Sequence, residues 1–166
     1  MDLSKASALY TVRLLTEDDI PAVYALCRKN TLYYQYCPPS VTPEIIREDM
    51  YALPPHTQRK DKYYAGYFRE GRLSAVLDLI CGYPDERTAF IGFFMTDVSM
   101  QNSGTGSQII SDLCAFLKEE GFLRVRLGYV STNPQAAHFW HKNGFADTGQ
   151  LYSSERYAVA AAERFL

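Results

Sequence analysis

The sequence has little that would tie it to a specialised environment. Its longest apolar runs, such as Ala89 to Met95, fall far short of the roughly 20 residues a helix needs to cross a bilayer, and no signal-peptide pattern opens the chain. A protein that does not enter membranes and is not secreted is expected. Cysteine is sparse: Cys27, Cys37, Cys81 and Cys114 stand far apart with no Cys-x-x-Cys pair, which speaks against a zinc knuckle or a redox motif. Reduced thiols in a cytoplasmic protein are the expectation. A dominant charge is missing too. With 17 Lys and Arg against 19 Asp and Glu the formal net charge is -2, so no basic field for a nucleic-acid partner is present. No internal repeat or low-complexity linker divides the chain.

What is there is an ordinary globular composition, 47% hydrophobic and 22% charged over 166 residues, which predicts one domain spanning residues 1–166. Tyr10 to Leu15 reads as a strand. Thr16 offers an N-cap oxygen before Glu17, Asp18 and Asp19, and a helix should run to about Arg28. Asn30 to Ser40, with Pro38-Pro39, reads as a loop; Thr42-Pro43-Glu44 starts a second helix that Pro54-Pro55 must end. Tyr63 to Phe68 and Leu73 to Cys81 are β-prone runs around a turn, and Ala89 to Thr96 continues the meander.

Ile109, Ile110, Leu113, Cys114 and Leu117 recur at helical spacing, with Gly121 as a stop. Val125, Leu127 and Tyr129 alternate with Arg124, Arg126 and Gly128 as a half-exposed strand. Asn133-Pro134 opens a helix that ends at Lys142-Asn143-Gly144, and two strands, Phe145 to Tyr152 and Arg156 to Ala160, close the order. The expected fold is therefore α/β (α+β mixed), a mostly antiparallel mixed sheet with about four helices in the order β-α-α-β-β-β-α-β-α-β-β.

Two segments carry chemistry. Gln101-Asn102-Ser103-Gly104-Thr105-Gly106, followed by Ser107, lies between a strand and a helix N-terminus. Glycines there let backbone approach a ligand, and free N–H groups with the helix dipole favour a diphosphate. The plainer alternative is a tight turn. The loop lacks the Lys-Ser/Thr ending of a Walker loop and the full dinucleotide fingerprint, although a nucleotide-binding α/β domain stays open on this loop alone. Thirty residues on, Asn133, Ala136, Phe139, Trp140, Lys142, Gly144 and Phe145 form N-x-x-A-x-x-F-W-x-K-x-G-F.

Together these segments resemble the GNAT superfamily of N-acetyltransferases, whose motifs are Q/R-x-x-G-x-G/A and N-x-x-A-x-x-F-Y-x-K-x-G-F. Both align without gaps, and the likeness is strong from about Phe90 to Tyr152. It implies acetyl-CoA as co-substrate, with no metal, and transfer of the acetyl group to a primary amine by direct attack. By the resemblance, Phe94, Met95 and Thr96 would pair with the pantetheine arm, and amides from Gln101 to Ser107 would hold the pyrophosphate. Asn133 and the face with Ala136, Ala137 and Trp140 would line the thioester end, next to Phe139 and Lys142. The sequence departs from the family where Trp140 replaces the usual acidic tyrosine, because an indole donates a hydrogen bond without giving up a proton. A non-catalytic acyl-CoA-binding sensor is the alternative this departure leaves open.

An amine of pKa near 10.4 must lose a proton before it attacks, so a base is wanted. Asp78, within an apolar run, and Asp97, just past a strand, are candidates; an exposed strand face and a turn cap are the plainer explanations. His138 and His141 are candidates for the missing acid, against the simpler view that both face solvent. Their spacing suits a metal, but no third ligand is apparent. Tyr33, Tyr34 and Tyr36 fall where the family places its acceptor loop, or pack beneath a loop. By the resemblance the acceptor would be a small-molecule or peptide amine, whose identity the sequence does not give. The tail Ala161 to Leu166 offers apolar surface for a possible homodimer.

Overall fold

The β-prone runs on either side of Glu70-Gly71 pair as an antiparallel hairpin in the computed structural model, which describes residues 1–166. Both turn residues have positive φ, 52° and 76°, the geometry that follows the strands' right-handed twist. The hairpin strands are β2 (Lys62–Arg69) and β3 (Arg72–Cys81). Before them come β1 (Thr11–Leu14), α1 (Ile20–Cys27), α2 (Thr31–Tyr36) and α3 (Pro43–Tyr51). After them come β4 (Thr88–Thr96), α4 (Thr105–Glu119), β5 (Arg124–Val130), α5 (Pro134–Lys142), β6 (Ala146–Ser153) and β7 (Ala158–Phe165).

Seven strands form one sheet in the order β1-β2-β3-β4-β5-β7-β6. Every neighbouring pair is antiparallel except β4–β5, which α4 joins as a parallel crossover. The expected mixed, mostly antiparallel architecture is thus present. Helices cover both faces. On one, Ile109, Ile110, Leu113 and Leu117 of α4 are wholly buried against Leu77, Leu79, Ile91 and Leu127. On the other, Val23, Leu26, Ile46 and Met50 pack on Tyr64, Val76 and Met95. Thr42 caps α3 through Oγ1, which accepts from Ile45 N, and Asn133 caps α5, its Oδ1 accepting from Gln135 N and Ala136 N.

Three boundaries differ from expectation. Asn30 to Ser40 is not all loop: Thr31–Tyr36 forms α2, because the prolines lie beyond it and Tyr33 and Tyr34 gain a buried face against Phe93 and Met95's cluster. The sheet therefore carries five helices. The 3-10 turn Glu17–Asp19 separates Thr16 from α1, with Asp19 closing a capping box on Thr16. The last strand extends through Phe165, so Ala161 to Leu166 is no free tail: Ala161 and Ala162 are buried between β5 and β6, and Leu166 packs on the core, leaving Phe165 71% exposed.

Candidate active site

The parallel pairing of β4 and β5 runs only from Thr88↔Arg124 to Ile91↔Leu127. Beyond it each strand keeps its other neighbour, β4 through Thr96↔Ala75 and β5 through Val130↔Val159, so the sheet opens into a wedge. At the point of divergence Leu79 faces Ile91 and Asp78 faces Phe93, which leaves Gly92 as an unmatched bulge residue. A side chain there has no room, because a Cβ would lie 2.7 Å from Asp78 Oδ2. The wedge holds a cavity of about 360 Å³.

Past the open end of β4, the chain makes a 3-10 turn (Val98–Met100) and reaches α4 through Asn102 and Gly104, both in the left-handed region at φ 59° and 85°. Gly104 is the N-cap and has no side chain to satisfy the first turn. As a result the amides of Asn102, Ser103, Gly104, Gly106 and Ser107 meet no acceptor within the chain, while Thr105 N has only a long bond to Ser103 Oγ at 3.4 Å. Gly106 packs against α5, where a Cβ would stand 3.1 Å from Phe139 Cε2. Four of these five unpaired donors, all but that of Ser103, belong to residues lining the cavity, where the helix dipole adds to them.

The cavity's other wall is α5. Phe139 stacks on Phe94 at 6.0 Å, and Trp140 lies edge-on to Phe139 at 4.9 Å and to Phe145 at 5.1 Å. The spacing of Ala136, Phe139 and Trp140 puts all three on the wall, with Lys142 and the exposed His138 beside it. Ala137 instead packs on the core beneath. Phe94, Met95, Thr96, Gln101, Asn102, Gly104, Gly106, Ser107 and Asn133 also line the cavity, whereas the side chains of Ser103 and Thr105 bond to each other on the outside of the loop.

Neither candidate carboxylate lines the cavity. Asp78 is buried beside it on β3, its Oδ2 accepting from Lys62 Nζ at 2.8 Å, and its Oδ1 has no partner. Burial raises its carboxyl above the usual range, against the pull of the Lys62 ammonium. Asp97 caps the 3-10 turn, accepting from Ser99 N and Ser99 Oγ, with Lys29 at 3.5 Å. Partial burial would raise its carboxyl, but those hydrogen bonds and Lys29 hold it low. His141 points elsewhere, bonding Asp147 Oδ1 at 3.1 Å together with the Tyr129 hydroxyl, whose pKa burial and that carboxylate push up to about 12.

Of the three tyrosines, only Tyr33 reaches the cavity, with its ring edge-on to Phe93 at 5.9 Å. Burial raises the Tyr33 and Tyr34 phenols far above their ordinary value. Two further features were not read from the sequence. Asn30 is buried and lines the cavity; its Nδ2 donates to Leu26 O and Thr96 O, and its Oδ1 accepts from Gln101 Nε2, so it locks the first helix to the end of β4 and to the glycine loop. Cys37 Sγ donates to Tyr157 Oη at 3.4 Å, tying α2 to the β6–β7 connection. An isolated glycine in an apolar strand signals a bulge at Gly92, but Asn30 leaves no comparable trace. No three His, Cys, Asp or Glu side chains converge as a metal site would require.

No curated protein matches the chain significantly. Solved structures do. An acetyltransferase from Salmonella typhimurium, described as modifying the N-terminal serine of ribosomal protein L7/L12, superposes with a TM-score of 0.75 at 19% identity, over 97% of each chain. An acetyltransferase from Thermus thermophilus gives 0.74 at 19% identity, over 95% of this chain and 97% of its own. The PaiA N-acetyltransferase of Thermoplasma acidophilum, solved with coenzyme A, gives 0.68 at 15% identity, over 95% and 99%. These share the fold. The profile of the acetyltransferase (GNAT) family matches residues 24–145, most of the chain, including the wedge, the glycine loop and α5; the chain belongs to that family.

Proposed function

We propose that the protein is an N-acetyltransferase that takes acetyl-CoA into the β4–β5 wedge and passes the acetyl group to the primary amine of a peptide or small molecule. One observation carries this reading: unpaired amides of Asn102, Gly104, Gly106 and Ser107, at the start of α4, belong to residues lining a cavity that is apolar along Phe94, Phe139 and Trp140. An anionic diphosphate suits the first part, and a long uncharged arm suits the second. A bound acetyl-CoA supplies an activated thioester.

The chain's own groups divide the remaining work. Beyond Ile91, β4 has no β5 partner, so its backbone is free to bond a ligand and to stabilise negative charge developing on a carbonyl oxygen. Asp78 is the better of the two carboxylates for accepting the amine's proton, since its Oδ1 is unpartnered and burial raises its pKa, whereas Asp97 is committed to Ser99. Gly92 leaves that carboxylate against the cavity backbone. His138, a titratable side chain on the cavity wall, is the candidate to protonate the leaving thiolate; a thiol pKa near 8.5 makes that help modest. Tyr33 borders the acceptor's side.

Thiol release from acetyl-CoA in the presence of short peptides with free N-termini, polyamines and free amino acids tests the reading; the described substrate of the Salmonella structure makes peptide N-termini the first to try. Acceptor-dependent release supports it. Trp140 favours a second reading, a non-catalytic acyl-CoA-binding module, which predicts binding without release for every amine offered.

A further inference from the structure

Lys62 is the first residue of β2, and its side chain is only 1% exposed. A lysine so buried needs a partner. The strand register supplies one. Lys62 faces Ile80 across the β2–β3 hairpin while Tyr64 faces Asp78, so Lys62 and Asp78 are diagonal neighbours on one face of the sheet, within reach of a long side chain. The ammonium ends 2.8 Å from Asp78 Oδ2 and 5.9 Å from the centre of the Tyr64 ring.

Such a pair is a poor device for stability alone, because desolvation of two charges offsets most of their attraction and apolar side chains of similar volume would serve as well. It is also incomplete as a structural bridge. Lys62 bonds only Oδ2, and Oδ1 is buried without any partner. A carboxylate oxygen kept free in this way costs stability and suits a group that takes up a proton. Oδ2 in turn borders Gly92, the bulge residue on the cavity wall. Of the other groups around the carboxylate, Asp49 of α3 opposes its ionisation and Arg59, in the 3-10 turn before β2, favours it. Arg59 is engaged elsewhere, donating to Met50 O and lying over the Tyr51 ring. Tyr64 faces Asp78, with Cys27 of α1 and Tyr34 of α2 in the same cluster, and β4 brings only Gly92 and Phe93. Lys62 alone touches the carboxylate.

We propose that Lys62 is a positioning residue for the transfer: its ammonium fixes Asp78 through Oδ2 and keeps it ionised, which leaves Oδ1 free for the proton of the acceptor amine. This role rests on Asp78 serving as the base of the proposed acetyl transfer. In that step the nitrogen lone pair forms a bond to the acetyl carbonyl carbon, the N–H proton passes to Oδ1, and the C–S bond breaks to release the coenzyme A thiolate. Without the ammonium, burial would hold the Asp78 carboxyl protonated up to a higher pH, and a protonated carboxyl takes no proton.

The pH profile of kcat/KM tests it, measured on the full chain with acetyl-CoA and whichever of the peptide, polyamine and amino-acid acceptors gives thiol release. Lys62→Met should move the acid limb up by about one pH unit or more, so that a loss of about 10-fold at the acid end is recovered as pH rises. Lys62→Arg keeps a cation and should hold the limb near its wild-type position. The acceptor's own titration is common to all profiles, and damage to packing would lower turnover at every pH alike. Where Lys62→Met does not fold, Lys62→Gln, which keeps a donor for Oδ2 but no charge, takes its place with the same expected shift. A limb that stays in place in the neutral variant while Asp78→Asn abolishes it overturns the role of Lys62 and leaves Asp78 as the base. An unchanged profile in Asp78→Asn, or no thiol release with any amine, overturns both.

Discussion

At Gly92 a single missing Cβ lets a buried carboxylate press against the strand that opens the wedge. Gly92→Ala would put a methyl 2.7 Å from Asp78 Oδ2 and 3.3 Å from Ile80 Cδ1. The expected cost is about 1–3 kcal/mol of stability, as for overpacking, seen as a lower denaturant midpoint, together with weaker ligand binding from a shifted bulge. Asp78→Asn tests the proposed base separately. It keeps the shape and removes the charge, so turnover should fall by about 10²-fold or more if Asp78 takes the proton. The low-pH limb of the kcat/KM profile should disappear with it, and full turnover with an unchanged profile would exclude that role. These residues show how far sequence reached at this scale. Asp78 stood out as a carboxylate inside an apolar run, but its buried partner Lys62 lies 16 positions away, and the pairing of β2 with β3 had to be seen before the two could be joined. Asn30 was invisible for the same reason: its three bonds reach Leu26, Thr96 and Gln101, and only the first is local.

Among the elements, those with a full period were legible and those held by tertiary contacts were not. α4 announced itself through Ile109, Leu113 and Leu117, and α5 through Asn133-Pro134 and its aromatic face. α2 did not. Its six residues have no side-chain cap and end just before the prolines, so packing of Tyr33 on Phe93 and of both Tyr33 and Tyr34 on the core cluster, and not propensity, makes it a helix. The start of α1 gives a stability prediction. Bidentate hydrogen bonds from Arg13 hold the Asp19 carboxyl down to about 2, below its ordinary 3.8. A depressed carboxyl stabilises the fold above its unfolded pKa and loses that contribution as pH falls through the folded value. Between pH 4 and about 2 the wild type should therefore lose stability that Asp19→Asn lacks at every pH, on the order of 1 kcal/mol because Arg13 is half exposed. Thermal midpoints of the two proteins that converge near pH 2 would agree. On α5, Trp140→Ala would empty a site only 8% exposed between three phenylalanines, at a cost of about 3–5 kcal/mol in chemical denaturation.

At the scale of the molecule, the site follows from one topological choice. Six strand neighbours fill the sheet, five of them antiparallel; the single parallel pair, β4–β5, is the one whose strands part, and α4 and α5 begin at its open end. The motifs of the glycine loop and of α5 made this legible before any coordinates, because both sit at helix starts that the fold brings to the wedge. The acceptor's side was less legible, since Tyr33, Cys37 and Tyr157 come from segments 120 residues apart whose contact is set by α2. Titration of the purified protein with acetyl-CoA by calorimetry, with ATP and NAD as controls and Gly104→Glu as the blocked variant, tests the account most directly. Gly104 has open space around it at φ 85°, so glutamate there sets a carboxylate among the free amides. The account predicts binding of acetyl-CoA in preference to ATP and NAD, and its loss in Gly104→Glu; no binding by the wild type, or equal binding by the variant, would contradict it.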